Sequence, residues 1–239
     1  MLLTFSHLLT VILVSMTLIA LDGDLTAQEI DRNPYHLELV TSADEYLDQV
    51  KSDSNLELLN IEIEIPDVVL DIKYATPTNF TGEVIYDGAK AFARAPVVRA
   101  LREVQDSLAR LGLGLKIYDA YRPYAATLRF YEVYRDTNFV ANPRRGSRHN
   151  RGCAVDVNLI DLRTGDELAM PSGFDEFTEL AHPRFMDLPV DVISNRELLI
   201  SIMEFFGFSV YPTEWWHFDF NGWENYPLMD LEFSELEGL

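Results

Sequence analysis

The chain of 239 residues contains one cysteine, Cys153. No intrachain disulfide can form, so a disulfide-built scaffold is excluded, and so is a structural zinc site of the thiolate finger type. Basic residues are scarce: 19 Lys and Arg stand against 39 Asp and Glu, a net charge of −20. Such a chain repels phosphate backbones and anionic lipid surfaces, which argues against nucleic-acid and membrane-surface partners. Histidine is scarce too, with five in all. Internal repeats and low-complexity tracts are absent. What is present is a globular composition, 48% hydrophobic and 24% charged, in a chain long enough for one domain with a core of its own.

The one long uncharged apolar run is at the N-terminus. Leu8–Leu21 carries fourteen residues without a charge, Asp22 and Asp24 follow, and Ala27 is a suitable last residue before cleavage. This pattern predicts a signal peptide over 1–27, with export to the periplasm or the outside. Met1–His7 has no Lys or Arg, and Leu2–Leu21 is just long enough to span a bilayer, so an uncleaved anchor is the alternative.

Residues 28–60 carry eight acidic and two basic side chains and read as an acidic linker with a short helix near Ala43–Val50. Ile61, Ile63 and Ile65 alternate with Glu62 and Glu64, which predicts a strand ending at Pro66. Ala95–Gly112 reads as an amphipathic helix with Pro96 in its first turn, 113–119 as a short strand, and Pro123–Arg135 as a second helix. Ala154–Leu159 is an apolar strand after an arginine-rich loop. Ser194 and Glu197 suggest a capping box before a helix over Asn195–Phe206. Phe208–Tyr211 and Trp216–Phe220 read as a closing hairpin. The expected fold is α+β, a small central antiparallel sheet flanked by helices, with the main domain over 61–229 and a solvated acidic tail over 230–239.

Two histidines sit in dense polar settings: Ser147-Arg-His149-Asn-Arg-Gly152-Cys-Ala154-Val-Asp156, and Glu214-Trp-Trp-His217. Together they supply two imidazoles, one carboxylate inside an apolar strand, and a spare carboxylate. That is the inventory of a catalytic zinc site: three protein ligands, an open position for water, and a base beside it. Each residue also has an ordinary alternative. A lone strand Asp is often hydrogen-bonded at an edge, a lone His beside Trp is often packed in a core, and Arg122 could form a structural salt bridge with Asp119. Glu214 and His217, three apart, would face opposite sides of a regular strand, so acting together requires an irregular step near Pro212–Trp215. Cys153 reads as a small packed residue.

The pattern S-x-H-x-x-G-x-A-x-D followed by E-x-W-H resembles the signature of the M15 zinc peptidases that act on cell-wall peptides. The stretches 71–82 (DIKYATPTNFTG), 118–123 (YDAYRP), 173–177 (GFDEF) and 195–199 (NRELL) are similar to its VanX-type D-alanyl-D-alanine dipeptidase branch, a likeness spanning about residues 60–225. The resemblance implies that His149, Asp156 and His217 bind zinc on the sheet. It implies Glu214 as catalytic acid/base, Arg122 as the residue stabilising the transition state, and Ser147 as a substrate contact at the pocket rim. The implied partner is a small dipeptide, D-Ala-D-Ala, hydrolysed to two D-alanines. A D,D-carboxypeptidase or endopeptidase on peptidoglycan stem peptides is the alternative, and a zinc-free binding module a more distant one. Loops within 160–190 are candidates for closing the pocket.

Overall fold

The computed structural model describes residues 32–239, and the expected signal peptide lies outside them. No helix among the described residues is long and apolar enough to cross a membrane. Residues 32–239 form one compact unit of mixed α+β architecture.

Its centre is a five-stranded sheet in the order β3-β5-β6-β8-β7, built from β3 (Val69–Leu70), β5 (Leu113–Asp119), β6 (Ala154–Asp161), β8 (Glu214–Phe220) and β7 (Phe208–Tyr211). All its pairings are antiparallel except that of β3 with β5, so the sheet is mixed rather than wholly antiparallel. Val155, Val157 and Leu159 of β6 are fully buried, as befits the central strand. Helix α3 (Ala95–Ala109) packs Val97, Val98, Leu101, Val104 and Leu108 into the core, while its Gln105 Oε1 accepts the Leu115 amide at 2.8 Å. Helix α4 (Tyr124–Val133) follows β5 directly after Pro123.

Four readings of the sequence need correction. The stretch over Ile61–Ile65 is not a strand: Ile61–Glu64 forms a one-turn helix, α2. Asn60 caps it by accepting from the Glu62 and Ile63 amides, and Ile61 and Ile65, four apart, share the buried face, while Ile63 is 72% exposed. Residues 32–60 are not a linker. Strand β1 (Leu39–Val40) pairs with β9 (Leu228–Met229), β2 (Leu58–Asn60) pairs with β4 (Phe92–Arg94), and Val40, Tyr46 and Leu58 are buried. The expected helix there is present as α1 (Ala43–Ser52). The acidic tail is not solvated throughout: Leu231, Phe233 and Leu236 are buried, and Phe233, in α6 (Phe233–Leu236), meets the rings of Tyr86, Phe92 and Tyr121. Finally, α5 runs from Val190 to Phe205, starting after Pro189. Ser194 lies inside it and donates back to the Val190 carbonyl instead of capping.

Candidate active site

One row of the sheet carries three site residues. Asp119 of β5 pairs with Asp156 of β6, and Asp156 pairs with His217 of β8. Directly paired residues project on the same face, so register alone brings the carboxylate of Asp156 to the imidazole of His217. A shift in register between Ile117 and Asp119 moves Asp119 into that row.

The other two residues come from irregular backbone. His149 opens a 3₁₀ turn, His149–Arg151, that ends at Gly152 in the left-handed region (φ 68). A side chain there would be strained, and its Cβ would lie 2.6 Å from Leu58 Cδ2. The turn swings His149 back over β6. Glu214 stands at the start of β8, where the register of β7 with β8 jumps: Val210 faces Phe218, but Tyr211 faces Glu214. This is the irregular step that Glu214 and His217 require to act together.

The donor atoms converge. His149 Nε2 lies 3.1 Å from His217 Nδ1 and 3.4 Å from Asp156 Oδ1, and His217 Nδ1 lies 3.0 Å from Asp156 Oδ1. All three residues are buried. The far nitrogen of each ring is occupied: His149 Nδ1 donates to the Ala120 carbonyl at 2.6 Å, and His217 Nε2 donates to Asp219 Oδ1 at 2.9 Å. The rings therefore turn lone pairs toward each other and toward Asp156 Oδ1, which is buried without a hydrogen-bond partner. Three lone pairs packed this closely call for a cation between them. Bonds of about 2.0–2.1 Å to a tetrahedral zinc put ligand atoms about 3.3 Å apart, close to the spacing here. The donor set fits zinc.

Around this triangle the electrostatics are sharply tuned. Without a cation in the triangle, burial penalises the Asp156 carboxylate, and positive charge on the two imidazoles offsets this and holds its pKa well below the usual range. Glu214 is buried, with Oε2 3.8 Å from His217 Nδ1. Burial first, then the Asp156 and Asp175 carboxylates, push it up to about 8 against the pull of His217 and Arg122. A carboxyl tuned to near neutrality can both accept and release a proton.

Arg122 is buried and donates from Nε and Nη2 to Asp119 Oδ2 at 2.9 and 2.6 Å. Its guanidinium stacks over the Phe130 and Tyr74 rings at 4.6 and 5.5 Å, and Nη2 lies 3.9 Å from Asp156 Oδ2. The salt bridge considered from sequence is thus present, and it aims a cation at the cleft. Ser147 is buried rather than at a rim; its Oγ accepts the His149 amide at 3.1 Å.

Sequence reasoning assigned no site role to four contributors, though it named Asp119 as a salt-bridge partner. Asp119 holds Arg122 and also accepts from Tyr86 Oη at 2.8 Å. Asp219 fixes the His217 ring; its place two residues on, on the same strand face, is a signal that could have been read. Asn150 accepts the Ser147 amide and donates to the Arg122 carbonyl, tying the His149 turn to the Arg122 corner. Asp175, in a left-handed conformation (φ 59), accepts from Tyr74 Oη at 2.9 Å. Burial and the Asp156 carboxylate raise its pKa well above the ordinary value. Arg122, Ser147, His149, Asp156, Asp175, Glu214 and His217 line a cleft of ≈ 550 Å³, walled by the Phe80, Phe139 and Phe177 rings. Asp175 and Phe177 come from the 160–190 region expected to close it.

Residues 54–235 match the profile of the Peptidase_M15 family, described as D-Ala-D-Ala dipeptidase. The chain belongs to this peptidase family. It is similar to the D-alanyl-D-alanine dipeptidase of Escherichia coli K12, 38% identical over 179 residues covering 74% of this chain and 92% of the relative. The enzyme of that name from Enterococcus faecalis V583 is 35% identical over 168 residues, covering 62% and 83% of the two chains. That from Streptomyces coelicolor is 34% identical over 168 residues, with the same coverage. A member of this family is a metallopeptidase, which accords with the converging donor triangle.

Proposed function

We propose that this enzyme hydrolyses the dipeptide D-Ala-D-Ala to two D-alanines, using zinc held by His149, Asp156 and His217. The observation that carries the reading is the triangle of three donor atoms 3.0–3.4 Å apart with Glu214 beside it in one cleft. When bound, zinc supplies a Lewis acid and brings the pKa of water toward about 7. Glu214 Oε2 takes the proton from the attacking water and delivers one to the leaving amine. The Arg122 guanidinium, fixed by Asp119, meets the negative charge that develops on the carbonyl oxygen. Asp175 can meet the ammonium end of a dipeptide, whose positive charge favours the carboxylate form that burial disfavours, and the Ser147 hydroxyl can donate to the substrate while accepting from His149 N. The aromatic walls leave room for a small ligand.

Offering D-Ala-D-Ala beside a pentapeptide stem ending in D-Ala-D-Ala tests this. D-alanine is expected from the dipeptide alone. Release from the pentapeptide at a comparable rate would favour a D,D-carboxypeptidase and overturn the proposal.

A further inference from the structure

Beside the catalytic cleft lies a second, larger one of ≈ 1040 Å³, and the two share Ala141, Ser147, Arg148 and Tyr211. In a protein of net charge −20, its lining is anomalous: it contains Arg145, Arg148 and Arg151 and no carboxylate. Two of the guanidiniums are held in place by aromatic faces. Arg148 lies 4.8 Å over the Trp223 ring and 5.6 Å over Tyr211, and Arg151 lies 5.5 Å over Trp223. Arg151 Nη1 also donates to the Tyr226 carbonyl.

Little neutralises these charges. Arg148 Nε is 3.5 Å from Asp219 Oδ2, a long contact, and that nitrogen is buried without a hydrogen-bond partner. Asp219 is already committed to His217 through its other oxygen. Arg145 is exposed and makes no ion pair among the described residues. Stacked, part-desolvated guanidiniums with unused donors recognise planar anions in a bidentate manner, and carboxylates fit this geometry.

We propose that this outer cleft is an anion site, which takes the carboxylate of a small amino acid or peptide passing into or out of the catalytic cleft. It gives carboxylate ligands a local foothold on a surface whose overall charge repels them, and the attraction weakens as salt rises. The passage of substrate rests on the dipeptidase reading; the anion site itself does not.

Trp223 provides a readout independent of activity. Its indole N–H resonance, assigned with Trp223→Phe, is followed in the zinc-loaded mature protein at constant ionic strength. Acetate and D-alanine are expected to shift it saturably, and D-alaninamide, which has no carboxylate, to leave it in place. Arg145→Gln should weaken the response roughly two- to tenfold, as loss of one charged donor does. The same variant should raise KM for D-Ala-D-Ala and keep kcat. Absence of a saturable shift, an equal shift with D-alaninamide, or an undiminished response in Arg145→Gln would overturn the site. Inorganic phosphate binding more tightly than both carboxylates would overturn the assignment to a carboxylate ligand. If the titrations behave as expected but the wild-type enzyme leaves D-Ala-D-Ala intact, the dipeptidase reading fails and the anion site stands.

Discussion

Replacing Arg122 with Lys separates mechanism from scaffold. The arginine makes two donations to one Asp119 oxygen and lies over the Phe130 and Tyr74 rings, which restricts its guanidinium. Lysine keeps the charge and can keep one contact with Asp119. It cannot hold Asp119 and present a planar fork to the cleft together. Losing an oxyanion donor costs about 10²–10³ in kcat, or roughly 2.7–4 kcal/mol. Because that interaction is made in the transition state, KM should change little. The stability cost should be smaller, since the buried Asp119 charge keeps a cationic partner. At about 1 kcal/mol it would lower Tm by roughly 2–4 °C in a protein of this size. Steady-state kinetics on D-Ala-D-Ala with a melting curve give both numbers. A variant with normal kcat and a depressed Tm would refute the reasoning and leave Arg122 as scaffold.

Three further outcomes are expected. Glu214→Gln should keep zinc and lose turnover by several orders of magnitude. In the chelated protein it should also change the pH dependence of stability: the folded-state pKa of Glu214 is raised from 4.5 to about 8, so the contribution of this group is full below about pH 4.5 and is lost as pH rises through 8. The variant should match wild type at low pH and exceed it above 8 by roughly 3–5 kcal/mol; parallel melting curves would contradict this. Asp219→Asn, which loses the acceptor that orients His217, should weaken zinc affinity about 10- to 100-fold in a chelator competition, and unchanged affinity would remove Asp219 from the site. The native protein is expected to begin near residue 28 outside the cytoplasm, and an intact Met1 in the cytosolic fraction would contradict export.

Local chemistry offered the inventory of a zinc site in the sequence, and the family resemblance supplied the roles. A carboxylate within Ala154–Leu159 and a histidine among Trp215, Trp216 and Phe218 are costly to bury without a partner, so the sequence itself marks Asp156 and His217 as unusual. The pairing that joins them is between residues 61 positions apart in the chain, and nothing in either strand announces the register. The same holds for Asp119, whose place depends on a shift in the β5–β6 pairing. Ile61–Ile65 misleads because residues 61 and 65 satisfy a period of two and one turn of helix equally; the Asn60 side chain decides between them. The acidic segment 32–60 misleads because composition counts its charges, whereas Val40, Tyr46 and Leu58 anchor it. The outer arginines looked like loop charge, and only their stacking on Tyr211 and Trp223 sets them apart.

The central claim is that His149, Asp156 and His217 together hold one zinc. Metal analysis of the purified protein beside His217→Ala, after dialysis against metal-free buffer, tests it most directly. One zinc per wild-type chain and strongly reduced zinc in the variant are predicted. Full occupancy in His217→Ala would contradict the account.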